Sequence, residues 1–203
     1  MTIDVTQIFI YFFAVIDPIG TLPVFLAVTA GNTAAEKRRI ALMAFAVSCA
    51  VLVFFIVAGE LILNAMHIPL AAFQIAGGIV LFLFALSMIF GQSKPQTEVK
   101  LAKSLKDTAI YPLALPSIAS PGAMLAAVLL TRNQVYSLWE QTQTALVMLV
   151  ILLITLLVML GANGLSKVIG NGGADIISRV MGLILAALAT ANTLAGIKDY
   201  FSL

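Results

Sequence analysis

Ile8-Phe9-Ile10-Tyr11-Phe12-Phe13-Ala14-Val15-Ile16-Asp17-Pro18-Ile19-Gly20-Thr21-Leu22-Pro23-Val24-Phe25 decides how the rest of the chain is read. With its flanks it is apolar enough and long enough to cross a bilayer. At its centre, however, sit a carboxylate, a residue without a backbone N–H and a flexible glycine. Hydrocarbon tolerates none of these cheaply. The same kind of interruption returns in the second half as Ser117-Ile118-Ala119-Ser120-Pro121-Gly122. Two interrupted membrane helices at matching places in two halves point to a transport site near the bilayer midplane.

Composition places the whole chain in the membrane. It has 203 residues, 62% hydrophobic and only 10% charged, with a mean hydropathy of +1.10. That composition predicts an all-α polytopic membrane protein forming a single transmembrane domain. The formal net charge of +2 is too small to suggest a nucleic-acid partner. Cys49 is the one cysteine, so no intramolecular disulfide forms, and it reads as a buried inert thiol. The N-terminus lacks a basic n-region and reads as the first span rather than a removed signal peptide.

Six spans are predicted, at about Val5–Ala30, Arg39–Asn64, Ala71–Phe90, Ala109–Thr131, Thr144–Gly164 and Ile176–Ile197. The longest polar stretch, about Gln92 to Thr108, reads as a loop between repeat one (about 1–91) and repeat two (about 109–203). Lys37, Arg38, Arg39, Lys94, Lys100, Lys103, Lys106, Lys167 and Arg179 fall on one side, and only Arg132 and Lys198 on the other. The positive-inside rule puts the richer side in the cytoplasm and both termini outside it. Tyr111, Tyr136 and Trp139 fall near span ends, where aromatic rings favour the headgroup zone.

Three spans per half is an odd number, so a duplicated half must run through the membrane in the opposite sense. Traces of such an inverted repeat are present. Pro18 to Thr29 resembles Pro121 to Thr131, and Gly59-Glu60-Leu61 sits against Gly161-Ala162-Asn163. Gln74, Gly77, Ser87 and Gly91 match Arg179, Gly182, Asn192 and Gly196 at an offset of 105. Broken helices one and four then occupy equivalent places in the two repeats.

The residues that carry this pattern resemble the MarC family of bacterial inner-membrane proteins over essentially the whole chain. The resemblance rests on Asp17 to Phe25, Gly59-Glu60, Gly77-Gly78-Ile79 through Ala85-Leu86, Pro112 to Pro116 running into Pro121-Gly122, and Arg179 to Leu183. It implies a secondary transporter of small neutral amino acids or similar small metabolites, coupled to Na+ or H+, in the bacterial inner membrane. Members often carry Gly-Pro where this chain has Ser120-Pro121, so an extra hydroxyl bears on the substrate contact.

Proline breaks or kinks a helix just before it. Asp and Ser are good N-caps, and Pro suits the first helical position. Asp17-Pro18 and Ser120-Pro121 therefore both read as starts of a half-helix inside the membrane. Each start offers unpaired N–H groups and the positive end of a helix dipole to a carboxylate. Gly20 and Gly122 would let a ligand approach the backbone closely. The expected substrate contacts are Asp17, Pro18, Gly20, Thr21, Ser117, Ser120, Pro121 and Gly122. Asp17 and Glu60 are the candidates for ion or proton coupling, although Asp17 also reads as a plain cap and Glu60 as a side chain snorkelling to water. Gln74, Ser87, Asn163, Arg179 and Asn192 either line a cavity or bond between helices, and Arg179 also reads as a topology anchor. The stripe Gly182, Ala186, Ala189, Thr193, Gly196 reads as close helix packing.

Other functions fare worse. An aspartyl intramembrane hydrolase needs two facing Asp residues, a zinc type needs clustered histidines, and a serine type needs a base near Ser117 or Ser120. His67 is the only histidine. No enzyme, cofactor or metal site is expected. A channel, a membrane scaffold or regulatory protein, and an exporter of small toxic compounds remain as alternatives, since broken helices also build selectivity filters. The partners expected are a small-molecule substrate, the lipid bilayer and Na+ or H+, with a homo-oligomer compatible with all of this. A C-terminal fusion reporter that fluoresces only in the cytoplasm should stay dark, and a bright one would refute the topology.

Overall fold

The computed structural model describes residues 4–90, 104–133 and 135–202. All regular structure among these residues is helical. In order the elements are α1 (Val5–Ile16), α2 (Thr21–Val28), α3 (Ala34–Ala65), α4 (Leu70–Ile89), α5 (Leu105–Thr108), a wide-turned π segment (Ala109–Ile118), α6 (Pro121–Leu129), α7 (Leu138–Leu160) and α8 (Ala162–Phe201). Five stretches are long and apolar enough to cross a membrane: Val5–Val28, Ala34–Ala65, Leu70–Ile89, Leu138–Leu160 and Ile176–Phe201. A sixth exists if Leu105–Ile118 and Pro121–Leu129, bent by 57°, count as one. The chain is an all-helical polytopic membrane protein. Its outward surface is that of a lipid-solvated molecule, with Val57, Leu61, Leu83 and Leu157 all more than half exposed.

Helix ends follow capping chemistry rather than hydropathy. The second span starts at Ala34, not Arg39, because Thr33 and Glu36 form a capping box. The Glu36 N–H donates to Thr33 Oγ1 at 3.3 Å, and the Thr33 N–H donates to the Glu36 carboxylate at 2.8 Å. Ser137 and Glu140 repeat the device at 3.4 and 2.8 Å. The fifth span therefore begins at Leu138 rather than Thr144, taking Gln141, Thr142 and Gln143 into the helix. Each box satisfies two orphan donors at once, which outweighs the polarity of the first turns.

Two further expectations are corrected. The loop predicted between the fifth and sixth spans is helix: Gly161 alone separates α7 from α8, which then runs 40 residues. The fourth span, predicted helical from Ala109, has an irregular first half. Tyr111 (φ −132°, ψ 123°) and Leu115 (φ −126°, ψ 126°) are extended within it. Each precedes a proline, Pro112 or Pro116, whose ring excludes the α conformation from the residue before it. Much of this stretch is buried, including Leu113, Ala114 and Ile118, as irregular backbone within a membrane must be. The predicted loop overlaps α5 at its end. Lys94, Lys100, Lys103 and Gly91 lie outside the described residues, as does the side chain of Lys167.

Around this irregular stretch, α3 packs on α7, on the π segment and on α6, while α1 packs on α7 and α6. Helices α4 and α8 pair closely with each other. Gly196 abuts Ala71, Gly78 abuts Ala189 and Thr193, and Gly182 abuts Ala85, so the two run antiparallel. A β-carbon at Gly78 would lie 3.0 Å from the Ala189 carbonyl oxygen, and one at Gly182 3.0 Å from that of Ala85. The small-residue stripe of α8 thus serves close backbone approach, the main source of helix association where lipid is as apolar as leucine. Gly78→Leu should cost roughly 1–3 kcal/mol by overpacking. Gly31→Ala, where an added β-carbon meets nothing within 4 Å, should be nearly neutral. Melting temperatures of the purified variants in detergent test the contrast.

Candidate functional site

Asp17 organises the junction between α1 and α2, but it closes α1 as its C-cap rather than starting a half-helix with Pro18; α2 begins only at Thr21, after Gly20. Helix α1 ends as the Asp17 N–H donates to the Phe13 carbonyl at 3.0 Å. Asp17 itself adopts φ 50°, ψ 70°, a left-handed conformation that Asp tolerates better than most residues. Its carboxylate accepts the Gly20 N–H at 2.9 Å. Its carbonyl accepts from the Thr21 N–H and the Thr21 hydroxyl, both at 3.0 Å. Asp17 is only 5% exposed, and Pro18 is buried beside it. A side chain on Gly20 would collide with the Asp17 carboxylate. The space that glycine frees at this position is therefore filled by the chain's own carboxylate rather than left to a ligand.

The second break is organised by Ser120, the N-cap of α6. Its hydroxyl accepts the Ala123 N–H at 3.1 Å, with Pro121 at the first helical position. Its carbonyl accepts the Met124 N–H at 2.9 Å. The hydroxyl proton goes further and donates to the Val15 carbonyl at 2.8 Å, in a fully buried bond between residues 105 apart. Val15 lies in the last turn of α1, where carbonyls lack helical partners. The two breaks therefore touch. Gly122 is buried against Leu81 of α4, 2.6 Å from where a β-carbon would sit. Asp17, Thr21, Ser117 and Ser120 are all buried, so this centre is closed to solvent.

The remaining candidates disperse. Glu60 is at the far end of α3, where its carboxylate accepts the Asn133 N–H at 2.8 Å. Gln141 then bonds the Asn133 side chain at 3.1 Å and the Tyr136 carbonyl at 3.0 Å. Asn192 donates to the Tyr11 hydroxyl at 2.6 Å, joining α8 to α1. The Ser87 hydroxyl donates to the Phe84 carbonyl of its own helix. Gln74 lines a cleft of about 420 Å³ with Arg132, Lys198 and Asp199. Asn163 lines another of about 360 Å³ with Lys37 and Arg38. Arg179 is exposed on α8. Among the described residues no group of three His, Cys, Asp or Glu side chains is placed to hold a metal ion.

Sequence reasoning passed over several polar groups. Tyr11 hides in an aromatic run, and only its lone hydroxyl sets it apart. The hydroxyls of Ser48 on α3 and Thr144 on α7 are buried without a hydrogen-bond partner among the described residues. Ser48 continues the buried stripe of Ile40, Ala41, Ala44 and Leu52, but periodicity alone does not say which stripe of an all-apolar helix faces protein.

An all-helical membrane protein with a closed polar centre between two half-helices is the class this geometry defines. A family model described as "MarC family integral membrane protein" matches residues 3–201. The UPF0056 membrane protein MJ1677 of Methanocaldococcus jannaschii is 34% identical over 189 residues, covering 92% of each chain. The UPF0056 membrane protein YvbG of Bacillus subtilis is 33% identical over 202 residues, covering 97% of this chain and 95% of its own. No solved structure matches. The chain belongs to the MarC family of integral membrane proteins, whose members span bacteria and archaea.

Ser120→Ala should cost about 2 kcal/mol, about one for the cap and about one for the orphaned carbonyl. Ser104→Ala removes a cap alone, the exposed hydroxyl that accepts the Asp107 N–H, and should cost only about 1 kcal/mol. Equal losses of thermal stability would show that the bond between the breaks contributes nothing.

Proposed function

We propose that this protein is a secondary transporter of small neutral amino acids or similar small metabolites, coupled to Na+ or H+. It would reside in the bacterial inner membrane with both termini extracytoplasmic. Two inverted three-helix repeats, with spans one and four broken, would form the substrate site between them. The observation that carries the reading is the buried bond from Ser120 to the Val15 carbonyl, which joins the start of α6 to the end of α1. Ser120 takes the third N–H of α6, that of Ala123, and the Gly122 N–H at the second position suits a substrate carboxylate. Carbonyls in the last turn of α1 and in the irregular stretch 109–118 suit an ammonium group or a cation.

The repeat is supported by like chemistry at like places. The capping boxes at the starts of α3 and α7 recur across the two halves, and α4 of one half pairs antiparallel with α8 of the other. Thr29 and Thr131, at the ends of the half-helices, each donate to the carbonyl four residues back. Ser48 adds a candidate contact. Its hydroxyl is buried on α3, which packs on α6 and on the irregular stretch 109–118, and an unpartnered buried hydroxyl is the kind of group a substrate satisfies.

Asp17 is the test. Asp17→Asn retains the capping oxygen and nearly the same shape but removes the charge. It should abolish coupled uptake of glycine, alanine and serine into proteoliposomes under imposed sodium or proton gradients, with the melting temperature nearly unchanged. Wild-type uptake by Asp17→Asn would leave Asp17 a cap only. Failure of the wild type to accumulate any substrate under either gradient would overturn the transport reading.

A further inference from the structure

We propose that the cleft between the end of α7 and the start of α3 binds the phosphate of an anionic phospholipid. The cleft has a volume of about 360 Å³. Lys37 and Arg38, in the first turns of α3, line one side, and Ala162 and Asn163, the first residues of α8, line another. Among the described residues no acidic side chain lines it. The nearest carboxylate in sequence, Glu36, is held in its capping box by the N–H and hydroxyl of Thr33 at 2.8 and 2.9 Å. Two cations therefore face a cleft with no counter-ion among the described residues. The charge of the site rests on these two side chains, because α7 ends where α8 begins and their dipole ends offset each other. A phosphate answers both side chains together.

The walls argue for a lipid rather than a soluble phosphate. Phe25, Met159 and Leu160 give the cleft an apolar floor and side. Leu160 is 45% exposed and continues outward into Leu157 (59%) and Leu153 (48%). These three share one face of α7, which forms an apolar track from the cleft along the span. A headgroup phosphate on Lys37 and Arg38 would leave an acyl chain lying on that track. Basic pockets between membrane helices take anionic headgroups in this manner. This site stands on its own observations and does not depend on the transport reading. Exposed basic residues at a span end also attract anionic lipid diffusely, and Arg39 separates the two cases. It carries the same charge in the same turn and is exposed, yet it does not line the cleft.

The full chain, purified in neutral detergent, would be titrated with phosphatidylglycerol and with phosphatidylcholine. Bound lipid would be counted by native mass spectrometry and melting temperature followed in parallel. Phosphatidylglycerol should bind preferentially and raise the melting temperature. The pair Lys37→Gln with Arg38→Gln should weaken its binding by roughly twenty-five-fold, at about fivefold for each basic residue. Arg39→Gln should leave it nearly unchanged. If the double variant does not fold, the single variants supply the comparison, each at about fivefold. An equal loss in Arg39→Gln, or equal binding of phosphatidylcholine, would overturn the site. Equal stabilisation by inorganic phosphate alone would overturn its assignment to a lipid.

Discussion

Inside a bilayer every backbone N–H and C=O must find a partner within the protein, and the organisation of this molecule follows from how that requirement is met at two broken helices. At Asp17 and Ser120 the side chain replaces the missing helical partner. One hydroxyl, that of Ser120, meets the needs of both breaks at once, accepting from its own half-helix and donating to the last turn of the other. The remaining helices pack around this centre: α3 and α7 flank it, while α4 and α8 clasp each other through their small residues. The irregular stretch 109–118 persists because protein surrounds it.

The same contact bears on function. A chain that needed only to span the membrane would be better served by continuous helices. Two interruptions placed in contact, both buried and both capped by polar side chains, concentrate dipole ends and carboxylate chemistry where the surroundings are least polar. There such groups act most strongly on a ligand. In the proposed transporter this closed centre would exchange substrate only if the packing around it rearranges. The basic cleft beside Lys37 lies apart from that centre at the span ends, and its apolar wall continues onto the lipid-facing side of α7.

Much of the architecture was legible in the chain. Runs of apolar residues gave the spans, since only helices or closed barrels satisfy their backbone in hydrocarbon. Ser120-Pro121 marks the start of α6 because Ser can cap and proline suits the first helical position, whereas Asp17, which reads as the same kind of cap, closes α1 and α2 begins only at Thr21. The capping boxes at Thr33–Glu36 and Ser137–Glu140 were equally visible as S/T-x-x-E, but hydropathy drew attention to apolar runs, and the start of α7 was set several residues too late. Pro112 and Pro116 should likewise have warned that the stretch before Ser117 is not helical, because each proline constrains the residue ahead of it.

What the sequence by itself determined is membrane residence, the capped start of α6 at Ser120 and the small-residue stripe of α8, each of which depends on local chemistry. Only the tertiary structure decided which of those pieces meet. That Ser120 reaches Val15, that Asn192 finds Tyr11, that Glu60 goes to Asn133, and that Lys37 and Arg38 share a cleft with the start of α8 are contacts between residues far apart in the chain. In spans apolar on every face, periodicity cannot say which stripe turns inward. Only the packing of one helix against another makes that choice.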